Sequence, residues 1–200
     1  MAQHQSYGEN IQNRHIHNKY DTDPTLTDAE NTVYVHKRKK KLVWGLRGSH
    51  TAHDWIVSDG AIAYETLHPG ARTDVRVPRE RSTITLYKKN RKKYPDHKII
   101  MAGHSLAGHL VKDVLKHTND PNLHGYGFNS APHKAFDNDV ANGKHDSRFT
   151  AYRTRLDPVS AASLVHHQNT NTVPWAVGNP HSSGNFINLS GVRLKKHGKK

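Results

Sequence analysis

The sequence predicts an α/β domain built on a mostly parallel sheet flanked by helices, and three observations carry that expectation. Short apolar runs at residues 42–46 and 99–101 are bounded by turn or charged residues, as strands buried on both faces are. Helical patterns at residues 79–93 and 106–115 follow the strands in alternation, the rhythm of strand-helix-strand units. The chain of 200 residues, 34% of them hydrophobic, is long enough to bury one core and suits a single domain.

The elements follow in order. Residues 1–30 are polar, rich in Gln, Asn, His and Asp, with apolar anchors at Tyr7, Ile11, Ile16 and Tyr20, and read as an N-terminal arm. The body spans residues 31–192. In it, residues 32–36 and 41–46 flank Lys37-Arg38-Lys39-Lys40, a hairpin with a charged tip. Residues 54–63 suit a short helix, and residues 64–78 an irregular excursion. Residues 79–93 form an amphipathic helix with Ile84, Leu86 and Tyr87 inward, stopped by Pro95, that feeds the strand Ile99-Ile100-Met101. Leu106, Leu110, Val111, Val114 and Leu115 mark the apolar stripe of the next helix. Residues 133–147 are polar and turn-rich and read as a surface loop. Residues 148–152 form a strand that runs out at Asp157-Pro158, and Trp175-Ala176-Val177 another before the turn Gly178-Asn179-Pro180. Residues 193–200 are a basic C-terminal tail. No internal repeat is visible.

Between the strand at 99–101 and its helix stands Gly103-His104-Ser105-Leu106-Ala107-Gly108. A serine on a sharp strand-to-helix turn presents its hydroxyl to a base, while the following N–H, that of Leu106, points toward a developing oxyanion. The strict pattern has glycine two residues after the serine; here that place holds Ala107, with glycine one further on. Asp157 lies at a strand end, where a carboxylate can orient an imidazole. Among the later histidines, His197 belongs to the basic tail and the pair His166/His167 follows closely. His181, on a loop entering a new element, is the preferred base, with His167 the alternative. Upstream, the strand at 42–46 ends at Arg47-Gly48-Ser49, where the Ser49 amide offers a second oxyanion donor.

Taken together, Arg47-Gly48-Ser49 followed by Asp54-Trp55, then Gly-His-Ser-Leu, then Gly125-Tyr-Gly-Phe-Asn-Ser-Ala-Pro132, then Asp157-Pro158 and a late His181 resemble the fungal-type, or class 3, lipase family over about residues 32–190. The resemblance implies a single α/β-hydrolase-like domain. It also implies an oxyanion residue at Ser49, a nucleophile at Ser105, an acid at Asp157 and a base at His181. Asp54 matches a position that braces the oxyanion loop, and His104, beside the serine, is grouped with it as a supporting residue. Members of that family carry their lid near residues 64–78. Here Tyr64-Glu65-Thr66-Leu67-His68-Pro69-Gly70 is short and only mildly apolar, which favours a small soluble ester or a lipid monomer over bulk triglyceride.

Composition narrows the partners. The chain has no cysteine, so no disulfide framework and no thiolate metal site; the histidine pairs His15/His17 and His166/His167 read as solvated, and the expected chemistry needs no cofactor or metal. No apolar stretch approaches the length of a membrane span and the N-terminus lacks a signal-peptide core, so a soluble, intracellular or virion-associated protein is expected. Lys and Arg number 30 against 17 Asp and Glu, a net charge of +13. That excess implies affinity for nucleic acid or anionic lipid, centred on Lys37, Arg38, Lys39 and Lys40 and on Lys88, Lys89, Arg91, Lys92 and Lys93. Both runs precede strands, so they are expected at the sheet edge opposite Ser105, with sequence-independent contacts. Two functions remain open: hydrolysis of a carboxylic ester, or a hydrolase fold without turnover kept as a basic structural or nucleic-acid-binding component.

Overall fold

Strand follows strand in one mixed sheet whose spatial order is the order of the chain. The computed structural model describes residues 18–48, 78–174, 176, 178–186 and 195–197. The elements are β1 (Tyr20–Thr22), β2 (Asn31–His36), β3 (Lys41–Leu46), α1 (Pro78–Lys93), β4 (Lys98–His104), α2 (Leu106–Lys116), β5 (Leu123–Phe128), α3 (Lys134–Ala141), β6 (Phe149–Thr154), the single turn α4 (Pro158–Ala161), β7 (Thr170–Val173) and β8 (Lys195–His197). The sheet has eight strands in the order β1 to β8. Strands β3 to β7 run parallel, while β1, β2 and β8 are antiparallel to their neighbours.

This topology decides where the helices lie. Each connection between parallel strands moves one place in the same direction, and right-handed crossovers then set the helices on one face. There α1 packs on α2 and α2 on α3. The core between sheet and helices is made by Leu42, Trp44, Ile99, Met101, Leu110, Val111, Leu115, Leu123 and Phe149. Trp44 is fully buried and satisfies its indole N–H on Asn31 Oδ1 at 2.8 Å. The helix face of β5 is built for close approach: a Cβ on Gly125 would stand 2.5 Å from Val111 and 2.8 Å from Leu115.

Several elements depart from the sequence expectation. Residues 133–147 contain α3 rather than only loop. Phe136 and Val140, four apart, bury themselves on one side of it, and Asp137 pairs with the fully buried Lys112 at 3.0 Å. The His133 ring caps the helix, its Nδ1 accepting the Phe136 N–H at 3.1 Å. His167 is buried and not solvated: it packs on Phe136 and Phe149, and burial, followed by the nearby Lys112 charge, pushes its pKa down to about 3, leaving it neutral. The strand before the Gly178 turn is Thr170–Val173, earlier than expected; Trp175 and Val177 lie outside the described residues, as do the expected helix at 54–63 and all but the last residue of the excursion at 64–78. Residues 20–22 of the arm and 195–197 of the tail pair into the sheet as its edge strands.

The segment after β1 is held by the end of α1. Asp23 is nearly buried, and its Oδ2 accepts from Tyr94 Oη at 2.6 Å and from Lys93 Nζ at 2.7 Å. Burial alone would raise the Asp23 pKa, but the bonds from Lys93, Tyr94 and Thr25 outweigh it and lower the value to about 2. Because the folded value lies below the unfolded one, this carboxylate stabilises the fold above about pH 4, and the contribution is lost as pH falls through about 2. Asp23→Asn should therefore cost on the order of 2 kcal/mol at neutral pH and flatten the acid limb of the stability curve below pH 4, measured by denaturant unfolding across pH.

Candidate active site

The turn from β4 into α2 is forced by how closely the two elements pass. A Cβ on Gly103 would lie 2.4 Å from the backbone carbon and oxygen of Ala107, so only glycine fits there. Gly108 faces Ser130 in the same way, with a built Cβ 2.3 Å from Ser130 Oγ. The space that the strict motif reserves for glycine is taken here by Ala107, whose methyl is wholly buried. Between these contacts Ser105 adopts φ 58° and ψ −125°, a sparsely populated conformation for a residue with a side chain. It is held there by its N–H on the Phe128 carbonyl at 3.1 Å and by its carbonyl, which accepts from Gly108 at 2.9 Å and Ala131 at 3.1 Å. Leu106 follows as the first residue of α2, so its N–H has no acceptor within the helix.

The structure brings Ser105, His181 and Asp157 into one hydrogen-bonded line. Ser105 Oγ donates to His181 Nε2 at 2.9 Å, and His181 Nδ1 donates to Asp157 Oδ1 at 2.7 Å. The Asp157 side chain is fully buried, and its other oxygen accepts the Ser160 N–H at 2.6 Å as the cap of α4. Burial raises its pKa; the hydrogen bonds from His181 and Ser160 prevail and hold it below the ordinary carboxylate range. A serine hydroxyl bonded to an imidazole that a buried carboxylate orients is able to lose its proton to Nε2 as it attacks an electrophile. His167, the alternative base, is in the core and does not reach Ser105.

Two sets of residues hold His181, and only one was visible in the sequence. His104 packs at a tilt against the His181 ring, centroids 4.7 Å apart, and its Nε2 donates to the His181 carbonyl at 2.6 Å. The second set grips the residue before. The Pro180 carbonyl accepts from Asn129 Nδ2 at 2.9 Å, from Asn185 Nδ2 at 3.3 Å and from the Thr154 hydroxyl. Asn129 is fully buried at φ 43°, and its Oδ1 accepts the Thr154 N–H at 2.8 Å. The sequence signal for Asn129 was its place at the end of the Gly-Tyr-Gly-Phe-Asn strand; Thr154 and Asn185 carried none.

The remaining residues of the expected site divide. Ser49 and Asp54 lie outside the described residues. Just before Ser49, Arg79 donates to the Arg47 carbonyl at 2.8 Å and pairs with Glu30 at 2.6 Å, fixing the end of β3. The basic residues sit at the amino ends of β3 and β4, where Lys98 N–H bonds the Lys40 carbonyl at 3.0 Å, opposite the edge that holds Ser105. Several of them are paired: Lys37 with Asp21, Lys40 with Asp96, Arg91 with Asp120 and Lys93 with Asp23. Arg38 and Lys39 lie in the bend between β2 and β3, and Lys88, Lys89 and Lys92 in the last turns of α1. Elsewhere Glu80, His109 and His133 gather ligand-type atoms within 4.8 Å of one another. Hydrogen bonds account for the group. His109 donates from Nδ1 to the Pro132 carbonyl at 2.5 Å and faces Glu80 Oε1 through Nε2 at 2.7 Å. His133, whose Nδ1 is an acceptor, carries its proton on Nε2 toward Asp113 at 3.3 Å.

No protein-family model matches the chain, and no curated protein matches it. Among solved structures it is similar to fungal lipases. With a lipase from Rhizopus microsporus var. chinensis it shares 17% identity over 80% of this chain and 61% of that one, at a TM-score of 0.44. With a lipase from Yarrowia lipolytica the identity is 18% over 78% of this chain and 65% of that one, at 0.44. With a triacylglycerol lipase from Penicillium expansum it is 20% over 82% and 70%, at 0.43. The chain thus spans less than two thirds of the length of the first two.

The packing at the turn makes a testable distinction between its two small residues. Ala107→Gly should cost about 1–2 kcal/mol, from one lost methyl and a looser helix start. Gly103→Ala, whose new methyl meets backbone that cannot rotate away, should cost about 3 kcal/mol or more, read as the shift in denaturant midpoint.

Proposed function

We propose that this protein is a serine hydrolase that cleaves carboxylic esters, and the hydrogen-bonded line Asp157–His181–Ser105 is the observation that carries the reading. Ser105 Oγ attacks the ester carbonyl while His181 Nε2 takes its proton, and the same nitrogen returns it to the leaving alcohol. Asp157 fixes the imidazole tautomer through Nδ1–H and stabilises the imidazolium. The Leu106 amide, with that of Ser49 as the second donor the sequence offers, receives the negative charge that develops on the carbonyl oxygen. Water then releases the acyl group by the same route. The strained backbone at Ser105 supports this assignment, since the conformation keeps Oγ clear of the helix and in reach of the base.

Because the three side chains act as a unit, Ser105→Ala or His181→Ala alone should lower ester hydrolysis on the order of 10³-fold or more, and Asp157→Asn somewhat less. A fluorophosphonate probe should label the parent protein at Ser105 and leave Ser105→Ala unlabelled. Parent-level turnover by Ser105→Ala would rule the mechanism out.

The preferred substrate is a small soluble ester or a lipid monomer, supported by the short, mildly apolar stretch at residues 64–70 and by the mean hydropathy of −0.87. With no broad apolar flap in the sequence to open onto fat, the rate should rise smoothly with substrate and show no jump where an emulsion appears. A sharp increase at that point, with long-chain triglyceride favoured, would contradict it.

A further inference from the structure

Beside the Ser105 line, the carboxyl ends of β6 and β7 border a cavity of about 500 Å³ whose walls include Arg153, Arg155, Leu156, Asp157, Ser160 and Thr172. It opens on the same edge of the sheet as Ser105, and Asp157, which bonds His181, forms part of its wall. Ligand crevices of parallel sheets lie at this edge.

The charges in the wall do not cancel. Arg153 is half-buried; its Nη2 donates to His166 Nε2 at 3.4 Å, and among the described residues neither it nor Arg155 is in an ion pair. Arg155 is exposed and is anchored by its N–H on the Val173 carbonyl at 3.1 Å. Among the described walls the one carboxylate, Asp157, has both oxygens engaged, one by His181 and one by the Ser160 N–H. Burial disfavours the Arg153 charge and the Asp157 carboxylate restores part of it. Two arginines thus line a cavity whose one described carboxylate is already engaged on both oxygens, and planar guanidinium pairs with phosphate or carboxylate oxygens in two parallel hydrogen bonds. Ser160 adds a hydroxyl. Leu156, 83% exposed and at φ 67°, stands at the rim, where an apolar stem has a surface to lie along. The net charge of +13 draws anions toward the molecule from a distance.

We propose that this cavity binds an oxyanion, a phosphate or carboxylate, carried by the ester substrate away from the bond that is cleaved. The substrate half of the proposal rests on the serine-hydrolase reading; the anion site does not.

Two measurements on the full chain separate them. Inorganic phosphate should bind saturably by calorimetry, equally in the parent and in Ser105→Ala. The double variant Arg153→Gln/Arg155→Gln should lose roughly tenfold or more in affinity, as expected for lost charge-assisted bonds. The exposed Arg155→Gln alone, which leaves the core untouched, should lose several-fold. In kinetics, kcat/KM for an aryl monoester of succinic acid, which bears a free carboxylate, should exceed that for the matched neutral butyrate ester. That preference should fall roughly tenfold or more in the double variant. Phosphate binding that is absent, or indifferent to both arginines, would overturn the anion site. Arginine-dependent phosphate binding without preference for the acidic ester would overturn the substrate assignment and leave a site for a free anion. Phosphate binding with no turnover of either ester would leave the anion site standing and remove the hydrolase reading.

Discussion

The close approach of β4 to α2 is the constraint on which the site depends. With no room for a Cβ at Gly103 and none at Gly108, the chain turns from strand to helix in a single residue, and that residue takes up the whole change of direction. Ser105 is therefore bent into a conformation that a side chain seldom occupies, and the deviation is distributed over fixed partners: the Phe128 carbonyl above it and the Gly108 and Ala131 amides behind. Packing density holds the strain. A looser strand-helix contact would let the turn relax and withdraw the hydroxyl from His181.

Against that fixed point His181 is positioned by polar contacts. His181 sits on a loop after the last parallel strand, and loops are ordinarily the mobile part of a fold. Here the loop is held at two adjacent carbonyls, Pro180 by Asn129, Thr154 and Asn185, and His181 itself by His104. Three of the donors, His104, Asn129 and Thr154, come from the ends of β4, β5 and β6, and Asn185 comes from the turn that follows His181, so the sheet edge is the main support for the imidazole. Asp157 contributes from the same edge, and its second oxygen, fixed by Ser160, prevents the carboxylate from rotating off the ring.

The sequence disclosed most of what local pattern encodes. The parallel strands at 41–46 and 98–104, the helices at 78–93 and 106–116, and the trio Ser105, Asp157 and His181 are legible because each has a neighbourhood signature: an apolar run, a stripe, a small-residue turn, an acid at a strand end. What stayed hidden is tertiary. The helix at 134–141 reads as loop, since its polar residues Asp137 and His133 are buried by partners distant in sequence, Lys112 and Asp113. His167 reads as a surface histidine, and only the aromatic walls of Phe136 and Phe149 around it show why it is neutral and internal. Thr154 and Asn185 act through a backbone carbonyl, a partner that no residue pattern can name.

The order of strands in the sheet has one more effect. Every parallel strand docks beside the one made just before it, so the sheet grows outward in the direction of synthesis and each addition is a nearest-neighbour event. Ser105 belongs to an early layer and His181, 76 residues later, to one of the last. The bend at Ser105 is itself completed from the next strand, since the Phe128 carbonyl and the Ala131 amide that hold it come later in the chain. The hydrogen-bonded line of Ser105, His181 and Asp157 thus ties the middle of the sheet to the loop beyond its last parallel strand, and its three members meet only with β4 to β7 in place.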